Sequence, residues 1–190
     1  MLRRGDELAP GVKATLIRMY AIDQCVRRQL VVHGRNLEAT RAQSDRAKYV
    51  LAVKTVLATD RANSARLKRL VRDYGWPDAL RFGKRAERAA LAIAVHCRDM
   101  RLMRLFVATL TRSFAEGRSE AWSYATLIDR FALASGAPQL YGTFLVHDRQ
   151  GNVTAPRLAS TRAATSWRRK WRVLPLSNQI DLYRRKLRLQ

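Results

Sequence analysis

From Val12 onward, apolar residues recur every three to four positions. Val12, Leu16, Met19, Tyr20, Cys25, Val26 and Leu30 fall along one stripe at the helical period, which predicts a first helix opened at Pro10 and stopped at Gly34. A second helix is predicted over about 36–58. Its late turns are apolar (Val50, Leu51, Val53, Val56, Leu57), while Arg41, Asp45, Arg46 and Lys48 crowd its early ones. Asp60 reads as the N-cap of a short third helix through Leu67, Leu70 and Val71, ended by Tyr74-Gly75-Trp76-Pro77. The apolar segment Ala86 to Leu110 divides at Arg98-Asp99 into a pair of helices, and Ser119 with Glu120 opens another that stops at Gly136. After Pro138 the pattern changes to strand formers: Leu140, Tyr141, Thr143, Phe144, Leu145 and Val146, then turn chemistry from Asp148 to Asn152, then Val153-Thr154. Beyond Pro156, a segment from Ser160 to Arg172 and a helix capped at Ser177 complete the chain. The expected fold is mainly α: a compact helical domain over 1–156 with a small β-hairpin near 139–155, followed by a basic C-terminal extension over 157–190.

Charge changes the picture from fold to partner. Thirty-seven Lys and Arg stand against fifteen Asp and Glu, a net charge of +22 over 190 residues. So large an excess calls for an anionic partner, and most of the cations are Arg, whose planar fork suits phosphate and stacks on bases. Residues 151–190 hold ten cations against a single acid, Asp181, whereas residues 101–150 hold six against four. Within that last stretch, Trp167-Arg168-Arg169-Lys170-Trp171-Arg172 sets two indoles four residues apart, one helical turn, amid four cations. Stacking combined with phosphate neutralisation is how single-stranded or looped RNA is held. The expected RNA-binding residues are therefore Trp167, Arg168, Arg169, Lys170, Trp171 and Arg172, with Arg184, Arg185, Lys186 and Arg188 repeating the theme. An anionic membrane surface is the competing partner for such a Trp/Arg segment.

Other classes are narrowed by what the chain lacks. No apolar run approaches the length of a membrane span. Cys25 and Cys97 have neither disulfide nor zinc spacing, so no metal or other cofactor is expected, and both cysteines read as small buried apolar residues. Met1-Leu2-Arg3-Arg4 hints at an organellar address, against which Asp6 and Glu7 weigh.

Between Asp23 and Thr143 a series of short motifs appears in order: Asp23-Gln24 with Arg27; Asp60, Asn63 and Leu67 leading to Gly75-Trp76-Pro77; Gly83; His96; Asp129-Arg130; and Gln139-x-Tyr141-Gly142-Thr143. In this the chain resembles a family of uncharacterised bacterial proteins with a GWP turn, a Gln-His-Ala-Asp run, an Asp-Arg pair and a Gln-x-Tyr-Gly-Thr-Gln strand. The resemblance implies a shared framework and a candidate pocket, but no reaction. Where the family has Gln-His-Ala-Asp, this chain has Val95-His96-Cys97-Arg98, and Arg104 and Phe144 stand at two further glutamine positions. A general base at His96 would need Asp99 in place of the lost carboxylate.

Three functions follow. The first is a structural RNA-binding subunit of a large ribonucleoprotein, in contact with rRNA-like RNA and neighbouring proteins, with a mitochondrial ribosome the favoured setting and the cytoplasm the alternative. The second is a small enzyme, a nuclease or toxin-like effector, using His96, Asp99, Asp129, Arg130 and Tyr141 in one pocket. The third is a basic accessory subunit of a membrane complex. Several of these residues also have a structural role open to them: His96 as a hydrogen-bonded core histidine and Asp129 beside Arg130 in an ion pair or helix-end hydrogen bond, while Trp76-Pro77 reads as packing for a loop.

Overall fold

A computed structural model describes residues 4–148 and 150–188. Among them are eight helices and one short antiparallel ribbon: α1 (Arg4–Thr40), α2 (Gln43–Tyr74), α3 (Ala79–Phe82), α4 (Lys84–His96), α5 (Met100–Ala115), α6 (Ala121–Ala134), β1 (Val146–His147), β2 (Val153–Thr154), α7 (Thr161–Lys170) and α8 (Leu176–Arg188). The chain is mainly α, and it divides into two compact units, Met1–Thr109 and Leu110–Gln190.

In the first unit, α1 and α2 form a long antiparallel pair with α4 against both. α1 does not stop at Gly34. It continues to Thr40, and Tyr49 of α2 lies 3.6 Å from where a Cβ on Gly34 would stand, so this glycine marks a close approach of two helices rather than an end. The turn falls instead at Arg41, which takes a left-handed φ of 54°. That conformation costs a non-glycine residue roughly 1 kcal/mol. α2 then runs unbroken through Asp60, the residue expected to cap a new helix. Asp60 is buried, and its carboxylate is used by a side chain of α1 instead of by its own backbone.

Ala86, Ala89, Ala90 and Ala94 are all buried on α4, and their small side chains let it pack against α1 and α2; Leu16, Leu67, Ile93, Met103 and Phe106 are buried too. Trp76 is 1% exposed and its indole N–H donates to buried Glu87 at 3.4 Å, so the GWP turn packs inward. Asp78 caps α3 through the Arg81 backbone N–H at 2.8 Å. The predicted break after α4 is present: Asp99 accepts from the backbone N–H groups of Arg101 and Leu102 and so starts α5.

In the second unit the hairpin is shorter than expected. Among the described residues the ribbon pairs Val146–His147 with Val153–Thr154, Val146 lying opposite Thr154. Residues 139–145 form a hydrogen-bonded loop instead, and Gln139 bridges to Leu158. α6 begins after Glu120 without a side-chain cap; Ser119, the expected cap, bonds Ser113 at 2.9 Å. Ser160 caps α7, accepting from Ala163 N–H at 3.2 Å.

Candidate functional site

Four polar side chains of the first unit converge. Asp23 and Arg27, one turn apart on α1, meet Asp60 from the middle of α2 and His96, the last residue of α4. Arg27 Nε donates to Asp23 Oδ1 at 3.1 Å, and its Nη2 donates to Asp60 Oδ1. His96 Nδ1 lies 3.1 Å from both Asp23 Oδ1 and Arg27 Nε. One ring nitrogen cannot donate to the carboxylate and accept from the guanidinium together. Because the Arg27 Nε–H is already directed at Asp23, the network is best satisfied with the imidazole proton on Nδ1, facing Asp23. In the neutral ring this leaves Nε2 as an acceptor, the arrangement of a carboxylate-oriented base.

The two acids are tuned apart. Burial pushes Asp23 up, but the His96 hydrogen bond together with the charges of His96 and Arg27 outweighs it, and the carboxyl lies below its usual range. At Asp60 burial wins over the nearby Arg27 and His96 charges, with help from Asp23, and the carboxyl is raised. The ligand atoms of Asp23, Asp60 and His96 lie within 4.8 Å of one another, a spread that would suit a metal ion. Arg27 already stands among them as the local cation.

Asp60 also faces a cavity of about 380 Å³. α2 contributes Leu57, Arg61, Ser64 and Ala65 to its wall, and the α4–α5 junction contributes Cys97, Arg98, Asp99 and Leu102. Mostly hydrocarbon inside, the cavity carries exposed Arg61 and Arg98 in its lining.

Asp23, Asp60, Asp78, Glu87 and Asp129 lie inside the fold, while Glu38, Asp73, Asp99, Glu116, Asp148 and Asp181 are exposed. From Arg46 to Arg72, every exposed charged side chain on α2 is basic, the one acid in that stretch being buried Asp60. Lys54, Arg61 and Lys68 recur at seven-residue steps on one exposed face of α2, a span of about 21 Å at 1.5 Å per residue.

The aromatic-cationic segment of the second unit is used differently from the sequence expectation. Trp167 and Trp171 do come together, with centroids 6.4 Å apart, yet they pack into a ring cluster with Tyr141, Tyr124 and Phe114. Arg168 is not on the surface. At 1% exposure it donates to the carbonyls of Tyr141 (2.9 Å), Gly142 (3.0 Å) and Leu174 (2.5 Å) and to Gln179 Oε1 (2.6 Å). Its expected role as a phosphate contact is therefore corrected to that of a structural pin. Arg169, Lys170, Arg172, Arg184, Arg185 and Lys186 are exposed, with Lys170 over the Trp171 ring and Arg184 at 3.3 Å from Asp181. The side chain of Arg188 lies outside the described residues.

The five enzymatic candidates are divided between the units. His96 and Asp99 belong to the first, where Asp99 caps α5 and lines the cavity while Asp23, not Asp99, supplies the carboxylate to His96. Asp129, Arg130 and Tyr141 belong to the second. There Asp129 accepts the backbone N–H groups of Leu140 (2.7 Å), Tyr141 (3.0 Å) and Thr143 (2.9 Å) together with the Thr143 hydroxyl (2.9 Å), so it holds a loop. Arg130 is half-buried on α6, and burial raises the Tyr141 phenol, with further contributions from Tyr124 and Asp129. In the sequence Asp23 and Arg27 stand out only as motif positions with i, i+4 spacing, and Asp60 as a motif position and an expected helix cap. Cys97 is buried as expected, whereas Cys25 is exposed on α1.

This is a helical protein whose first unit carries an acid–histidine–arginine cluster beside a cavity. It belongs to the family of unknown function DUF6624, which matches residues 10–186. No curated protein and no solved structure matches the chain. Among the described residues, no helix is long and apolar enough to cross a membrane.

Proposed function

We propose that this protein binds RNA without transforming it, as a subunit of a larger ribonucleoprotein, and that the outer face of α2 is a principal contact. The charge of this face carries the reading. From Arg46 to Arg72 the exposed charge of α2 is entirely positive, the one acid in that stretch, Asp60, being buried; Lys48 and Arg72 pair with Asp45 and Asp73, which flank it, and Lys54, Arg61, Arg66, Lys68 and Arg69 stand between them. A face kept soluble by charge mixes both signs; a face of one sign along a rod attracts a polyphosphate and releases its counterions. Exposed Arg169, Lys170, Arg172, Arg185 and Lys186 add cations in the second unit. Binding of a short single-stranded RNA, measured across a salt series, tests the reading. The expected affinity falls steeply with salt, and reversal of Arg61 and Lys68 to Glu weakens binding and flattens the slope. Affinity independent of salt, or unaffected by that reversal, would overturn it.

The Asp23–His96 pair supports a second reading, a nuclease acting at the cluster. Its test is the appearance of RNA cleavage products that disappear in His96→Asn while RNA binding is retained.

A further inference from the structure

The cavity beside Asp60 is not accounted for by phosphate attraction alone. An electrostatic surface needs no concavity, yet this one opens among the cations of α2: Arg61 lines it from the basic face, Arg98 lines it from the α4–α5 junction, and the interior between them is hydrocarbon from Leu57, Ala65 and Leu102. About 380 Å³ lies at the small end of ordinary ligand pockets. Asp60 gives Oδ1 to Arg27 and retains further acceptor capacity on its carboxylate.

We infer that this cavity receives one unpaired, amino-bearing base of the bound RNA. The inference rests on the RNA-binding reading and adds a base subsite to it. The flat faces of the base lie against Leu57, Ala65 and Leu102, its amino group donates to Asp60, and the phosphates flanking it pair with Arg61 and Arg98. Proteins read single-stranded RNA by splaying a base out of its stack into such a slot. The lining is of mixed sign, Arg61 and Arg98 with Asp60 and Asp99, around a hydrocarbon floor: a purely apolar ligand would not use the charged groups, and a bare phosphate would use neither the acids nor the floor, whereas a base with its flanking phosphates can use all three.

The experiment compares two strands of equal length and equal phosphate number, one an ordinary single-stranded RNA and the other abasic, on the wild-type protein and on Ala65→Leu. Ala65 is exposed on α2, and leucine there narrows the cavity without removing any described hydrogen bond. The expected result is wild-type preference for the base-bearing strand by about tenfold, the scale of one held base. That preference should be lost in Ala65→Leu while the salt slope stays unchanged. Arg61→Gln should weaken both strands together and reduce the slope by about one. Equal wild-type affinity for the two strands overturns the base subsite and leaves the RNA-binding reading standing. A preference that survives Ala65→Leu also overturns it, because the bases are then read elsewhere. Binding of neither strand overturns both.

Discussion

The two units each draw an arginine inward, and they satisfy it by opposite means. Arg27 meets charge: two carboxylates and an imidazole surround it. Arg168 meets dipoles, three backbone carbonyls and one side-chain amide oxygen. The difference shows in what each can do. A guanidinium held by neutral oxygens is fixed by backbone shape and serves only to hold that shape. Burial accordingly lowers its pKa, with the Asp129 charge acting in the other direction. A guanidinium between two acids and a histidine sits in a network whose protons can be rearranged, and such a network beside a cavity can take part in recognition or acid–base chemistry.

The largest expected effect tests the dipole-held side. Arg168→Leu strips four neutral acceptors of their donor inside the second unit, and each buried acceptor left unsatisfied costs about 1–3 kcal/mol. Thermal denaturation should show a large drop in Tm, and Arg168→Lys should not restore it, because an ammonium cannot reproduce the fork that spans Tyr141 to Gln179. A small loss would show that the loop is held by its other half, Asp129. Asp129→Asn should cost about 2 kcal/mol by the same measurement, since the amide keeps one acceptor where the carboxylate served four donors.

On the charge-held side, Arg27→Met leaves Asp23 and Asp60 facing each other without their cation. A loss of about 3 kcal/mol is expected, with substantial recovery in the Arg27→Met, Asp60→Asn double variant because one stranded charge is removed. The pH dependence has a defined sign. Asp23 is lowered from 3.8, so its contribution is fully present above that value and is lost as pH falls through the lower folded pKa. Asp60 is raised, so it takes up its proton first as pH falls, and that step favours the folded state. Acid unfolding below about pH 4 should therefore be blunted in Asp23→Asn, where the carboxylate no longer has to be protonated. The smallest stability effect is expected on the cationic face. Lys68→Gln should move Tm within the error of a surface change, about 0.5 kcal/mol, while reducing the salt slope of RNA binding.

Much of the helical frame was legible in the sequence. The first helix, the break at Arg98-Asp99 and the inward packing of Trp76 are local or periodic signals, and each is present in the structure, though of the stripe on that helix Val12, Leu16 and Met19 are buried while Tyr20 and Cys25 face outward. Asp60 was misread for a physical reason: an acid preceding a helical stretch looks like a cap, and only the arrival of Arg27 from α1 makes its burial in mid-helix tolerable. Arg168 was misread for a similar one. A run of cations looks solvent-facing when nothing in the linear chain announces the ring of carbonyls waiting around one of them.

The amino-acid order by itself determined that this protein is helical, strongly cationic and marked by two indoles a turn apart, because periodicity, charge and short spacing need no knowledge of distant partners. Tertiary structure alone decided which charges face water. Burying an ionised side chain is tolerable only where a counter-charge or aligned dipoles reach it from elsewhere in the chain, and those partners stand as far as 73 residues away, as Asp23 does from His96.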